Sequence, residues 1–159
     1  VLWVPQLSLA NRLAYQQLHT LLSPAETCPV LPFPSRDPRG VEALLSEFTR
    51  ELVNEWSVEP HQMLYAAEDD PLDLYRSLRR IHLARKDIYD RAEEKAETVL
   101  SPIGSKAMAI GALLAAIHFE LPVAYVEARR YQPPAKGFSG TPDPTGFVHV
   151  WMLGEVYRD

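Results

Sequence analysis

The chain has 159 residues, of which 47% are hydrophobic and 23% are charged, and this balance excludes a disordered or fibrous protein. The length suits one domain with a hydrophobic core of its own. The formal net charge of -5 disfavours an extended nucleic-acid surface, although it is compatible with a local basic pocket for a small anion.

Three further features of the sequence bear on cellular compartment, membrane association and domain organisation. The single cysteine, Cys28, cannot form an internal disulfide, which favours a reducing, cytoplasmic compartment. The longest nearly apolar run, residues 107–119, contains His118 and is too short to span a bilayer, so no membrane association is expected. The chain opens on Val1 without an initiator Met, and residues 1–159 are therefore predicted to be a single domain excised from a longer protein.

Short β-rich runs alternate with helical patterns along the chain. In chain order the predicted elements are a strand at 2–4, a helix at 9–22, a strand at 29–33, a helix at 39–56, a strand at 62–67, a helix at 71–89, a strand at 98–101, a helix at 105–119 and a strand at 122–127. Such alternation implies a parallel sheet with right-handed crossovers and helices on both faces. A doubly wound, Rossmann-like α/β fold with five parallel strands is therefore predicted.

The helix at 39–56 has the clearest helical spacing, with Leu44, Phe48 and Leu52 on one face and Glu51 off it. Residues 129–146 are rich in Pro and Gly and are expected to form a surface loop or flap. Residues 147–153 then alternate in polarity, which predicts a sixth strand at the C-terminal edge of the sheet.

Polar residues follow four of the predicted strands, at the end where open α/β sheets bind their ligands. They are Ser35 and Arg36 after the second strand, Glu68 and Asp69 after the third, Ser101, Gly104, Ser105 and Lys106 after the fourth, and Arg129 after the fifth. Because parallel strands end on the same side, these segments are expected to line one concave site.

Several of these positions are also suited to a purely structural role. Asp37, Asp70 and Ser101 each precede a proline, a pattern typical of a helix N-cap followed by proline in the first turn. Helix N-termini that meet at one edge also offer free amides and partial positive charge to an anion. Capping and ligand binding are therefore both compatible with this pattern.

Residues 101–106, with the sequence SPIGSK, form the segment richest in binding groups. Gly104 would let backbone amides approach a phosphate, Ser101 and Ser105 add hydroxyls, and Lys106 adds a positive charge. The segment lacks the spacing of a phosphate-binding Walker loop, and the chain lacks the dinucleotide-binding glycine fingerprint. A small anionic or nucleotide ligand is favoured, with a merely structural turn as the alternative.

This segment and its continuation, VLSPIGSKAMAIGALLAA at residues 99–116, resemble the signature of the CRISPR-associated Rossmann fold (CARF) family. The resemblance implies a homodimer that binds cyclic oligoadenylates, second messengers of prokaryotic antiviral defence, at the turns after the first and fourth strands. The residues that the resemblance assigns to ligand contact are Ser101, Gly104, Ser105 and Lys106, with Gln6, Ser8 and Asn11 in the first turn.

Two other functions compete with a ligand sensor. The acidic residues Glu68 and Asp69 could serve as acid and base of a small-molecule hydrolase in the same crevice. A structural dimerisation domain is the third reading, because a doubly wound sheet does not by itself define a function. The five histidines are scattered without metal-ligand spacing, so neither a metal nor another cofactor is expected. A binding or regulatory role is favoured over catalysis.

Overall fold

Short strands alternate with helices in the part of the chain that the computed structural model describes, residues 1–92 and 95–127. The elements are β1 (Leu2–Pro5), α1 (Arg12–Leu22), β2 (Glu26–Thr27), β3 (Val30–Pro32), α2 (Gly40–Glu47), β4 (Leu64–Ala66), α3 (Pro71–Arg91), β5 (Thr98–Ser101) and α4 (Lys106–Phe119). Two 3-10 turns, Leu9–Asn11 and Pro60–Gln62, and a π-helical turn, Glu51–Glu55, connect them. The described residues up to 126 belong to one unit, Val1–Val126.

The strands form two parallel sheets. In the first, β1 lies between β2 and β5, and in the second, β3 pairs with β4. A single parallel bridge between Gln6 and Val30 joins β1 to β3, and another joins Leu100 of β5 to Val123. The chain is therefore an α/β protein in which every strand pairing of the described residues is parallel.

The prediction of one sheet with five parallel strands is wrong, because the structure has a three-stranded and a two-stranded sheet. Proline provides the physical reason, since it has no N–H to donate to a ladder. Pro29 separates β2 from β3, and the segment after Pro122 makes only the one bridge at Val123. The predicted edge strand at 147–153 lies outside the described residues.

The predicted helices are present, with changes at their ends. Asp70 caps α3 by accepting a hydrogen bond from the Leu72 amide at 2.9 Å, as the sequence predicts. Ser105 caps α4, and Asp37 accepts from the Arg39 amide at 2.9 Å in a turn before α2 instead of capping that helix. The predicted helix at 39–56 is divided in the structure. Helix α2 ends at Glu47, and the π-helical turn follows at Glu51–Glu55.

One face of the strands packs against α1 and α2. Trp3, Leu31 and Val99 project from β1, β3 and β5 into a cluster that contains the buried side chains of the two helices and the segment after α2. The members from these elements are Tyr15, Leu18, Leu44, Phe48, Leu52 and Trp56. The Trp56 ring meets Trp3 edge to face, with centroids 5.3 Å apart.

The opposite face packs against α4 and α3. Val4, Val30 and Leu100 alternate with the residues of the first cluster and are also buried, so they point to the other side. Gln6, two residues after Val4, donates from its side-chain amide to the Met108 carbonyl of α4 at 3.1 Å, which places that helix here. The strands are therefore covered by helices on both faces.

Helix α4 approaches α3 so closely that one position requires glycine. A Cβ atom built on Gly111 would lie 2.1 Å from the Pro71 carbonyl oxygen and 3.0 Å from its carbonyl carbon. Both atoms belong to the backbone, so no side-chain rotation relieves the overlap.

The expectation that Glu51 lies off the buried face of its helix is wrong. Glu51 follows Phe48 by three residues and Leu44 by seven, and this spacing places it on the same side as these two buried residues. Glu51 opens the π-helical turn, in which the Trp56 amide donates to the Glu51 carbonyl, five residues back, at 2.7 Å. Glu51 is fully buried, and Arg12 and Gln16 donate to its Oε1 at 2.6 and 2.8 Å. Burial alone would raise the pKa of Glu51, but the Arg12 and Gln16 hydrogen bonds outweigh it and hold the pKa below its ordinary value.

We expect Gly111→Ala to destabilise the fold, although alanine is the better helix former by about 1 kcal/mol. The added methyl group would push α4 away from α3, and overpacking of this kind costs about 1–3 kcal/mol. Urea unfolding measures the change. The control Ala109→Gly reports the helix-propensity effect within the same helix, and a Gly111→Ala protein as stable as the wild type would contradict the close approach.

Candidate functional site

The segments that follow β1, β3, β4 and β5 meet at one edge of the strands. The Gln6 backbone amide donates to the Ser101 carbonyl at 3.0 Å, and this hydrogen bond joins the ends of β1 and β5. The Ser105 hydroxyl donates to the Glu68 carbonyl at 2.9 Å, and the Glu68 amide donates to the Pro34 carbonyl at 3.0 Å. Parallel pairing brings these segments together, as the sequence predicts.

The Glu68 carboxylate holds the loop that follows β3. Its Oε2 accepts hydrogen bonds from the Ser35 hydroxyl and from the Arg36 backbone amide, both at 2.8 Å. The side chain is half-buried between the two loops. Two of the predicted site residues, Ser35 and Glu68, are therefore in direct contact, and Arg36 joins them through its backbone.

Ser101 has a structural role that the sequence does not reveal. It lies inside β5 rather than in the turn after it, and it is fully buried. Its hydroxyl accepts a hydrogen bond from the Trp3 indole nitrogen at 2.9 Å. Ser105, not Ser101, caps α4, so the predicted capping role of Ser101 is wrong, while its predicted ligand contact stays a prediction.

Gly104 permits close packing between the turn after β5 and the end of β1. A Cβ atom at this position would lie 3.0 Å from the Gln6 Cβ and 3.1 Å from its Oε1. Gln6 itself is buried. Packing against Gln6 is thus sufficient to explain the glycine, whether or not a ligand approaches it.

Helix α4 begins at this edge with one capped amide and one exposed cation. The Met108 amide donates to the Ser105 hydroxyl at 3.3 Å, and Lys106 is exposed to solvent. Within residues 1–92 and 95–127, no side-chain hydrogen bond or ion pair involves Lys106, Arg36 or Arg39. Three exposed cations without a counter-ion therefore belong to the segments that meet here, together with the exposed carboxylates of Asp37 and Asp69.

The remaining predicted residues fall on the first turn and on the end of the chain. Ser8 is half-buried in extended backbone before the Leu9–Asn11 turn, and its hydroxyl makes no capping hydrogen bond. Asn11 closes the same turn. Arg129 lies outside the described residues, so its predicted ligand contact stays a prediction.

Two features are absent from the described residues, a cluster of metal-binding side chains and a membrane-spanning helix. Among residues 1–92 and 95–127, no group of three or more His, Cys, Asp or Glu side chains is arranged to hold a metal ion. No helix in this part of the chain is long and apolar enough to cross a membrane.

No protein-family model matches the chain, and no curated protein matches it significantly. The site must therefore be interpreted from its own chemistry.

Sequence reasoning missed a second set of polar groups at the opposite end of the strands. Arg85 belongs to an Arg-rich run that we predicted to be a solvated helix face, yet only 17% of its side chain is exposed. It lines a cavity with Cys28 and Glu26. Its spacing of four and seven residues from Ile81 and Leu78 places it on the inward stripe of α3, a signal that was present in the sequence.

We expect Glu68→Ala to destabilise the protein, because it leaves the Ser35 hydroxyl and the Arg36 amide without their acceptor. The Ser35 hydroxyl is half-buried, and losing its acceptor costs about 1 kcal/mol, while the exposed Arg36 amide can bond water instead. The neighbouring substitution Asp69→Ala removes an exposed carboxylate and should change stability by less than about 0.5 kcal/mol. Equal urea midpoints for the two variants would show that Glu68 does not hold the loops together.

Proposed function

We propose that this domain is a sensor for a nucleotide-type ligand, which binds at the edge where the segments after β1, β3, β4 and β5 meet. A cyclic oligonucleotide is the ligand class that the resemblance to CARF domains favours. The observation that carries the proposal is the start of α4, where Lys106 is exposed and unpaired beside the capped turn of Ser105.

The charges and dipoles at this edge suit a phosphate group. A helix N-terminus presents free backbone amides and the positive end of the helix dipole. Arg36, in the loop that Glu68 anchors, adds a second exposed cation to that of Lys106. An anion bound here would be attracted by the Arg36 and Lys106 side chains, and no existing ion pair of the described residues would have to break.

The polar network at the edge supports binding more than catalysis. A general base needs a carboxylate oxygen that can reach a substrate proton. The Glu68 Oε2 already accepts two hydrogen bonds from the β3 loop, and the Glu68 backbone is held by Ser105 and Pro34. These contacts give Glu68 a structural role in holding the β3 loop, so we favour binding over the enzyme alternative.

We further propose that the domain acts as a homodimer through α4. This helix is apolar on all sides, whereas a helix at the surface of a monomer usually has a polar face. Its inner face packs against Pro71, while Ile110, Leu113 and Ile117 are exposed at a spacing of three and four residues. Pairing of two such faces would bury them and bring two Lys106 residues into one assembly.

We expect Lys106→Ala to weaken the binding of a cyclic oligoadenylate by roughly ten- to a hundredfold, because it removes a charge-assisted hydrogen bond to phosphate. Isothermal titration of the wild type and the variant with cyclic oligoadenylates and with mononucleotides measures the effect. The control Lys86→Ala removes an exposed lysine from α3, whose far end lies away from this edge, and should leave affinity unchanged.

Failure of the wild type to bind any of these nucleotides would overturn the proposed function. Equal affinity of Lys106→Ala and the wild type would move any nucleotide site away from the start of α4.

We expect Leu113→Lys to shift the protein towards a monomer, because it would bury a charge in the apolar contact between two α4 helices. Sedimentation velocity at several concentrations measures the change. Leu21→Lys, at an exposed apolar position of α1, is the matched control and should leave association unchanged. A wild type that sediments as a monomer at all concentrations would contradict the dimer.

A further inference from the structure

Two large aromatic side chains are exposed beside the edge proposed to bind the nucleotide. Phe33 follows β3 directly and is 62% exposed, and Tyr65 lies in β4 and is 45% exposed. Their rings meet edge to face, with centroids 6.3 Å apart. Single exposed apolar residues are common on protein surfaces, whereas adjoining exposed aromatic rings are typical of a binding surface.

The strands hold both rings in place. Tyr65 is the register partner of Leu31, and Phe33 follows Leu31 by two residues, so the two aromatic side chains lie on one face. The Phe33 amide donates to the Ala66 carbonyl at 2.7 Å, which extends the pairing of β3 with β4 by one residue. Because the backbone is already ordered here, a ligand that binds to the rings does not have to order it.

The loop that starts at Phe33 brings a cation close to the rings. Arg36 follows Phe33 by three residues, and three residues of chain span at most about 11 Å. The Glu68 carboxylate fixes this loop by accepting from the Arg36 backbone amide at 2.8 Å, and the Arg36 side chain is exposed. The same short loop therefore offers a positive charge next to two aromatic rings.

A nucleotide matches this combination in a single molecule. Every base has a π face that stacks on an aromatic side chain, and the phosphate pairs with a cation. An edge-to-face pair leaves both faces of one ring, and one face of the other, free of the partner ring. An apolar protein surface fits less well, since covering the rings would also draw the exposed charges of Arg36 and Arg39 out of water.

We propose that Phe33 and Tyr65 form a stacking platform for a base of the bound nucleotide, whose phosphate is held by Arg36. This inference rests on the proposed nucleotide site and adds to it the group that recognises the base. A sugar phosphate or an inorganic polyphosphate lacks the part of the ligand that the rings bind. Stacking uses the face of the base and not its edges, so the platform binds bases without selecting one of them.

Isothermal titration with cyclic tetra-adenylate tests the platform. Phe33→Leu keeps an apolar side chain but has no π face, and we expect it to weaken binding roughly tenfold. Phe33→Tyr keeps the π face and is the matched control, with the affinity of the wild type. Both substitutions are at an exposed position, where stability should change little, and thermal unfolding followed by circular dichroism checks that each variant is folded.

A fluorescent base gives a readout of stacking that is separate from calorimetric affinity. The emission of 2-aminopurine riboside monophosphate falls when its base stacks on an aromatic ring. We expect this loss of emission to saturate with the wild type and with Phe33→Tyr. The double variant Phe33→Leu, Tyr65→Leu should leave the emission close to that of the free nucleotide.

Two results overturn the platform while the nucleotide site stands. One is a wild type whose binding of cyclic tetra-adenylate needs Lys106 but not the Phe33 ring, so that Phe33→Leu and Phe33→Tyr bind equally well. The other is 2-aminopurine emission that falls as much with the double variant as with the wild type. A wild type that binds no nucleotide overturns the proposed function itself, and the platform with it.

Discussion

Burial of the Trp3 indole at the centre of β1 is the constraint on which the rest of the structure depends. The ring is completely buried among side chains from several elements. It contacts the Trp56 ring edge to face and the His19 ring in a tilted arrangement. An indole N–H needs an acceptor when it is buried, and Ser101 of the neighbouring strand supplies it. This hydrogen bond adds a side-chain link in the core to the parallel ladder between β1 and β5.

The same contact determines how the polar segment after β5 is used. Because Ser101 is committed to Trp3, the segment that reaches the surface begins only after it, and Ser105 becomes the cap of α4. The hydroxyl of Ser105 then links this turn to Glu68, whose carboxylate holds the loop after β3. A chain of hydrogen bonds therefore runs from the core to the surface loops and leaves the side chains of Lys106 and Arg36 outside it.

The two ends of the strands differ in chemistry for a reason that lies in the helices. At the carboxyl ends the helices begin, and their caps, free amides and exposed cations form a polar edge. At the amino ends, the second half of α3 lies over the strand beginnings and leaves an apolar cavity with one buried guanidinium. The two ends of the strands are therefore polar at the carboxyl side and mostly apolar at the amino side.

The sequence by itself determined the order and type of the elements, because the spacing of apolar residues reports which faces are buried. It placed β5 and α3 nearly at their observed bounds and predicted that Ser35, Glu68 and Ser105 would meet, since parallel strands end together. Local pattern does not report pairing partners, so only the tertiary structure decided that residues 26–27 add a short strand beside β1 and that five strands form two sheets. The Trp3 bond that occupies Ser101 and the Arg12 hydrogen bond that pairs the buried Glu51 have the same origin. Each depends on residues far apart in the chain, and the energies of such contacts exist only after the chain has folded.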